Sequence, residues 1–215
     1  MSSDKSIKLT IFSNKRNRNE PPIPIIKENS MEKKDLKPAG VFKYFEEICQ
    51  VPRPSKKEEK IIAYLKAFGA KHNLETKVDE AGNVLIKKPA TPGKENLQTV
   101  VLQSHIDMVC EKNNDVQHDF LTDPIETEID GEWLKAKGTP LGADNGIGVA
   151  TELAILADDS IEHGPLECLF TVDEETGLTG AFALKEGFMS GDILLNLDSE
   201  DEGELFIGCA GGANT

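Results

Sequence analysis

Beyond residue 98 the chain alternates short, almost wholly apolar runs with stretches of helical period, and this restricts the folds open to it. Thr99-Val100-Val101-Leu102, Leu166 to Val172 and Asp192 to Leu197 are strand-length runs, the first of the kind that suits a strand covered on both faces in a parallel sheet. Between them lie Ile147 to Leu156, rich in Ala, Leu and Ile at helical spacing, and the shorter Thr179 to Glu186. Parallel strands need crossovers, and helical crossovers cover the faces of the sheet. The expected fold is α/β: a sandwich with a mostly parallel central sheet flanked by helices.

Upstream, Phe42, Phe45 and Ile48 recur at helical spacing until Pro52 and Pro54. Ser55-Lys56-Lys57-Glu58 reads as a capping box for a second helix to about His72, with Ile61, Ile62, Leu65 and Phe68 on its apolar stripe. Leu74 to Asp79 and Val84 to Lys88 alternate around Ala81-Gly82-Asn83 as a hairpin. Ile125 to Ile129 and Glu132 to Ala136 do so around Asp130-Gly131. Residues 1–38 are polar, with Asn14-Lys15-Arg16-Asn17-Arg18-Asn19 and Pro21-Pro22-Ile23-Pro24, and show neither period. They are expected to form a disordered or loosely ordered extension, leaving residues 39–215 as one globular unit.

The net charge of −14 is unevenly spread: residues 105–215 hold 4 basic against 25 acidic side chains. A polyanion would be repelled there, so no nucleic-acid partner is expected. With no run of 18 apolar residues and no secretory signal in the first 30 residues, no membrane association is expected and the location is read as cytoplasmic. Cys49, Cys110, Cys168 and Cys209 form no CxxC pair, which argues against a thiolate metal site. They read as small buried apolar residues.

The carboxylates fall at particular places. In open α/β sheets, ligands bind beyond the carboxyl ends of the strands, and all three apolar runs end in metal-binding residue types: His105-Ile106-Asp107, Asp173-Glu174-Glu175 and Asp198. Asp144, in the glycine-flanked loop before a predicted helix, can reach the same edge. Singly, each has a plain structural reading: His-x-Asp as a surface turn, Asp144 as an N-cap, the triple acid as a solvated turn. Jointly they do not, because neighbouring charges near 4 Å repel by about 4 kcal/mol at an effective dielectric of 20. A convergent set needs cations or must bind protons. Two apart on a strand, His105 and Asp107 share a face, so Asp107 can hold one imidazole nitrogen and leave the other for a metal. A mixed histidine and carboxylate set suits zinc better than calcium.

In order and spacing, four blocks resemble the metal-site motifs of the co-catalytic zinc peptidases, which include glutamate carboxypeptidase and peptidase T. They are Ser104-His105-Ile106-Asp107-Met108-Val109, Gly142-Ala143-Asp144-Asn145-Gly146-Ile147-Gly148, Asp173-Glu174-Glu175-Thr176-Gly177 and Asn196-Leu197-Asp198-Ser199-Glu200. The likeness is nearest to the aminoacyl-histidine dipeptidases, and similar blocks at Ile48 to Ser55, Gly131 to Ala136 and Gly208 to Gly212 extend it over roughly residues 40–215.

The resemblance implies metal-dependent hydrolysis of small peptides, Xaa-His dipeptides among them, with two Zn2+ ions for which Co2+ or Mn2+ can substitute. It implies that His105 and Asp198 hold one ion, Glu175 the other, and that Asp144 bridges them. Asp107 would orient His105, and Glu174 would be the general base. A deacylase or carboxypeptidase with the same chemistry, or a non-catalytic remnant, are the alternatives. Family members carry a further histidine ligand near the carboxyl terminus, which none of His72, His105, His118 or His163 supplies by position, and a second domain used for homodimerisation and substrate cover. The chain is accordingly expected to be an amino-terminal fragment. There is no GxSxG for a serine hydrolase, no complete dinucleotide fingerprint and no P-loop.

Overall fold

The computed structural model describes residues 7–8, 32–199 and 203–208. In chain order these give β1 (Ile7–Lys8), a 3-10 turn (Lys33–Asp35), α1 (Ala39–Cys49), α2 (Glu59–Lys71), β2 (Glu75–Val78), β3 (Val84–Lys88) and β4 (Val100–His105). There follow β5 (Thr127–Asp130), β6 (Trp133–Ala136), α3 (Ala143–Ala157), β7 (Leu166–Thr171), α4 (Thr179–Ala183) and β8 (Ile193–Asn196). Of the expected extension, residues 1–6 and 9–31 lie outside the described residues. So do residues 209–215, with Cys209 and most of the glycine-rich block. Ile7 and Lys8 pair antiparallel with Leu134 and Trp133, beside the β5–β6 hairpin.

The main sheet has the order β2-β3-β7-β4-β8. β4 runs parallel to both β7 and β8, so these three strands end on one edge. The β2–β3 hairpin joins the far side of β7 antiparallel, which makes the sheet mixed. β7 lies between β3 and β4 and is buried at every position, as suits a mostly apolar central strand; its one charged residue, Glu167, is paired with Lys87 at 2.6 Å. The turn between β2 and β3 is held by Asp79, whose Oδ1 accepts the N–H groups of Ala81, Gly82 and Asn83 at 2.9 Å. That is the local bonding by which Asp favours turns.

On one face α1, α2 and α3 pack their apolar stripes against the sheet, with Phe45, Ile48, Ile61, Leu65, Leu153 and Phe170 fully enclosed. Burying a side chain of this size contributes about 1.5–3 kcal/mol. The other face carries a smaller cluster of Leu85, Val101 and Leu169 under Leu184, Phe188 and Met189. Among the described residues no helix is long and apolar enough to cross a membrane.

Three local expectations are corrected. The capping box at Ser55–Glu58 does not form: α2 begins at Glu59 and no side chain caps it. Both polar groups have tertiary partners instead, Ser55 Oγ donating to Asp107 Oδ2 at 2.8 Å and Glu58 Oε1 accepting from Asp173 N at 3.0 Å. α4 stops at Ala183 because Leu184 is already extended (ψ 131°). Cys110 is exposed, on the irregular segment that follows β4, whereas Cys49 and Cys168 are buried.

Candidate metal centre

The parallel strands deliver their following residues to one edge. β4 ends on His105, and Ile106 N still donates to Thr171 O at 2.9 Å, so the chain continues beside β7 as far as Asp107. β7 is followed by Val172 and then by Asp173, whose φ of +48° lies in the left-handed region and turns Glu174 and Glu175 back over the edge. Past β8, Leu197 N donates to Gln103 O at 2.8 Å and places Asp198 next to β4. Asp144 enters from Gly142, a left-handed residue (φ 66°) where a Cβ would press on the Arg53 guanidinium. The regular turns of α3 begin beyond Asn145.

All six residues singled out in the sequence come together. His105 Nδ1 lies 3.2 Å from Asp107 Oδ1, and His105 Nε2 lies 3.1 Å from Asp144 Oδ1. Glu174 Oε2 and Asp198 Oδ1 are each 3.9 Å from the same Nε2. One ligand atom from each of His105, Asp144 and Glu175 falls within 4.8 Å of the others. His105 and Asp107 are almost fully enclosed, while Asp144, Glu174, Glu175 and Asp198 are half-buried and open to the edge.

Charge crowding shows in the proton affinities. Burial opposes the charged form of His105, but its hydrogen bonds to the Asp107 and Asp144 carboxylates outweigh it and raise its pKa to about 10. Asp198 is pushed up to about 7 by burial and by Asp144 and Glu174, against the attraction of His105. Glu175 is raised by burial and by Asp144, Glu174 and Asp107, with His105 again opposing. Asp107 behaves oppositely: burial would raise it, yet the donors around it hold it below the usual carboxylate range.

Asp107 also does more than touch His105. Its Oδ1 accepts Glu174 N at 3.0 Å, and its Oδ2 accepts Glu175 N at 3.2 Å and Ser55 Oγ at 2.8 Å. Arg53 crosses beneath the site, donating to Ile106 O at 3.2 Å, Asp107 O at 3.1 Å and Gly142 O at 2.6 Å. Asn83 ties β3 to the acidic turn, donating to Gly180 O at 2.8 Å and accepting Val172 N at 3.1 Å. Arg53, Ser55, Glu58 and Asn83 were not singled out as site residues from the sequence. Arg53 alone left a signal, a single cation between two prolines in a mostly apolar block.

A second group, Glu58, Asp107 and Asp173, also has ligand atoms within 4.8 Å of one another. These carboxylates already accept protein N–H and O–H groups, including Thr176 Oγ1 on Asp173 Oδ1 at 2.6 Å, so they are accounted for without an ion. Beside Glu174 and Asp198 a cleft of about 250 Å³ opens, with Leu169, Leu178, Leu184, Met189 and Leu194 in its wall.

Comparison with known proteins places this geometry. The chain is 52% identical to the cytosol non-specific dipeptidase of Escherichia coli (strain K12) over 181 residues, covering 84% of this chain and 37% of that protein. It is 55% identical to a crystal structure of aminoacylhistidine dipeptidase from Vibrio alginolyticus, with a TM-score of 0.81 over 84% of this chain and 37% of that one. Aminopeptidase PepT from Bacillus cereus superposes with a TM-score of 0.64 at 27% identity, over 75% of this chain and 43% of that one. The chain thus spans well under half the length of these relatives. Residues 101–210, which contain all six clustered residues and just over half of the sequence, match the model of peptidase family M20/M25/M40, and the chain belongs to that family of metallopeptidases.

Proposed function

We propose that this chain carries the catalytic centre of a zinc-dependent dipeptidase. The observation that supports it is the convergence of His105, Asp144 and Glu175 within 4.8 Å, with Asp198 and Glu174 beside His105, at the carboxyl edge of parallel strands. The donor set fits zinc: one imidazole nitrogen and several carboxylate oxygens, crowded enough that two of the carboxyl groups and the imidazole hold protons unusually tightly. In this reading His105 and Asp198 would hold one ion and Glu175 a second, with Asp144 available to both; Co2+ or Mn2+ would suit the same donors.

When bound, zinc would supply positive charge and lower the pKa of a water to about 7. The protein's own groups do the rest. Asp107 holds His105 Nδ1 and so presents Nε2 toward Asp144 and Asp198. Glu174 takes a proton from the attacking water as its oxygen bonds to the peptide carbonyl carbon. It returns that proton to the amine nitrogen as the C–N bond breaks. Adjacent in sequence, Glu174 and Glu175 are read in different roles, and Asp107 holds the backbone of both by accepting their N–H groups. The substrates are small peptides, Xaa-His dipeptides among them, as the names of the two relatives above half identity suggest. The complete protein is read as a cytosolic homodimer.

The test uses the complete gene product loaded with Zn2+, assayed on β-Ala-His and Ala-His. Hydrolysis is expected, with a loss of about 10²–10⁴-fold in kcat on Glu174→Gln. Folded, metal-loaded protein without turnover, or a Glu174→Gln variant of undiminished rate, would refute the reading.

A further inference from the structure

Glu58 occupies a position where a helix cap is expected and does not act as one. It is buried, 7% exposed, and its Oε1 accepts two backbone N–H groups, Lys56 N at 2.8 Å and Asp173 N at 3.0 Å. The next two amides along the chain, Glu174 N and Glu175 N, end on Asp107 Oδ1 and Oδ2. Three consecutive N–H groups of the acidic turn are therefore each held by a carboxylate oxygen, and the two carboxylates doing so lie side by side.

Such an arrangement is costly unless something depends on it. Two neighbouring buried anions repel, and an apolar link between α2 and the turn would avoid that. The turn also needs an external hold, because Asp173 has a left-handed φ of +48° that a non-glycine residue rarely adopts. Asp107 fixes the turn at its second and third residues only. The first peptide is also held at its carbonyl, Val172 O accepting Gly180 N at 3.1 Å. Without Glu58 its N–H loses its acceptor, only that one bond is left to orient it, and the turn from which Glu174 departs loosens.

We propose that Glu58 is a positioning residue: by fixing the Asp173 amide it sets the direction in which Glu174 leaves the turn. This rests on the assignment of Glu174 as base. It acts through hydrogen-bond acceptance, so an amide oxygen in the same place suffices.

The experiment compares Glu58→Gln, which keeps the acceptor, with Glu58→Ala, which removes it, in the complete Zn2+-loaded protein, with Glu174→Gln as reference. Steady-state kinetics, zinc affinity and amide hydrogen exchange at residues 173–175 are measured for each. Glu58→Ala is expected to lower kcat by about tenfold to a hundredfold, the order of a 1 Å misplacement, with little change in KM and faster exchange at the Asp173 amide. Glu58→Gln is expected to restore both kcat and protection. Wild-type kcat and protection in Glu58→Ala, or equal damage in both variants, overturns the proposal. If Glu58→Ala does not fold, the comparison of Glu58→Gln with the shorter Glu58→Asp decides: Gln near wild type and Asp impaired supports it, the reverse overturns it. An undiminished Glu174→Gln would instead sink the assignment of the base, while the exchange data would still report whether Glu58 holds the turn.

Discussion

Arg53 is 3% exposed, and its guanidinium joins two segments that are far apart in sequence, the exit of β4 and the Gly142 turn. Burial lowers its proton affinity, with Cys49, Asp107 and Asp144 nearby opposing that loss. Replacing it by Met would strand three buried carbonyls, and the expected loss of stability is about 3–5 kcal/mol, read by urea unfolding. Arg53→Lys should recover only part of this, because one ammonium cannot reproduce the planar fork that reaches both segments; full recovery would show that charge alone suffices. Glu152 poses the opposite case. It is wholly buried on α3, its Oε2 accepting Ser104 Oγ at 2.9 Å, and burial raises its pKa well above 4.5 despite that bond. The folded protein keeps this proton where the unfolded chain releases it. As pH rises above about 4.5 the unfolded state is therefore favoured, by up to about 1.4 kcal/mol per pH unit, until the folded group also ionises. Glu152→Gln has no such proton. Its stability relative to wild type should climb as pH rises above about 4.5, and a flat difference in urea midpoints would count against a neutral Glu152.

At the scale of elements, Asn83 shows how the hairpin, the central strand and the acidic turn are made one unit. It donates to Asp79 Oδ2 at 2.7 Å and Gly180 O at 2.8 Å, and accepts Val172 N at 3.1 Å, so one side chain links the β2–β3 turn, the end of β7 and the start of α4. Asn83→Ala leaves a buried N–H and a buried carbonyl unpaired. The expected cost is about 1–3 kcal/mol, with faster amide exchange at Val172 and its neighbours; a variant of wild-type stability would mean that water replaces the amide. The periodic features were legible in the chain itself. Apolar runs announced β4, β7 and β8, helical stripes announced α1 and α2, and Asp130-Gly131 announced the β5–β6 hairpin. The six clustered residues were legible because their types sit where strands end. Arg53, Asn83 and Glu58 were not, since they meet their partners across 53, 89 and 115 residues and no period encodes such contacts. The Ser55–Glu58 pattern misled for a related reason: a local motif states which bonds are possible, and tertiary partners took them.

Across the whole molecule, the main sheet ends unevenly. β2 is a short polar edge strand, whereas β8 presents Ile193, Leu194 and Leu195 at 40%, 48% and 46% exposure, with no strand on its outer side among the described residues. Leu205, Phe206 and Ile207 are also exposed. A bare apolar edge of this kind recruits further strands. The net charge of −14 opposes association, but that repulsion is screened over about 8 Å at physiological ionic strength. The 215-residue chain expressed alone should therefore be most nearly monomeric at low salt and should associate as salt rises, as followed by sedimentation velocity. Leu195→Lys puts a charge on the outer strand without touching the cleft beside Glu174, which Leu194 lines. It is expected to abolish the salt-driven association while leaving the far-ultraviolet circular dichroism unchanged. A chain that stays monomeric at high salt, or a Leu195→Lys variant that associates like wild type, would show that β8 is not the adhesive edge.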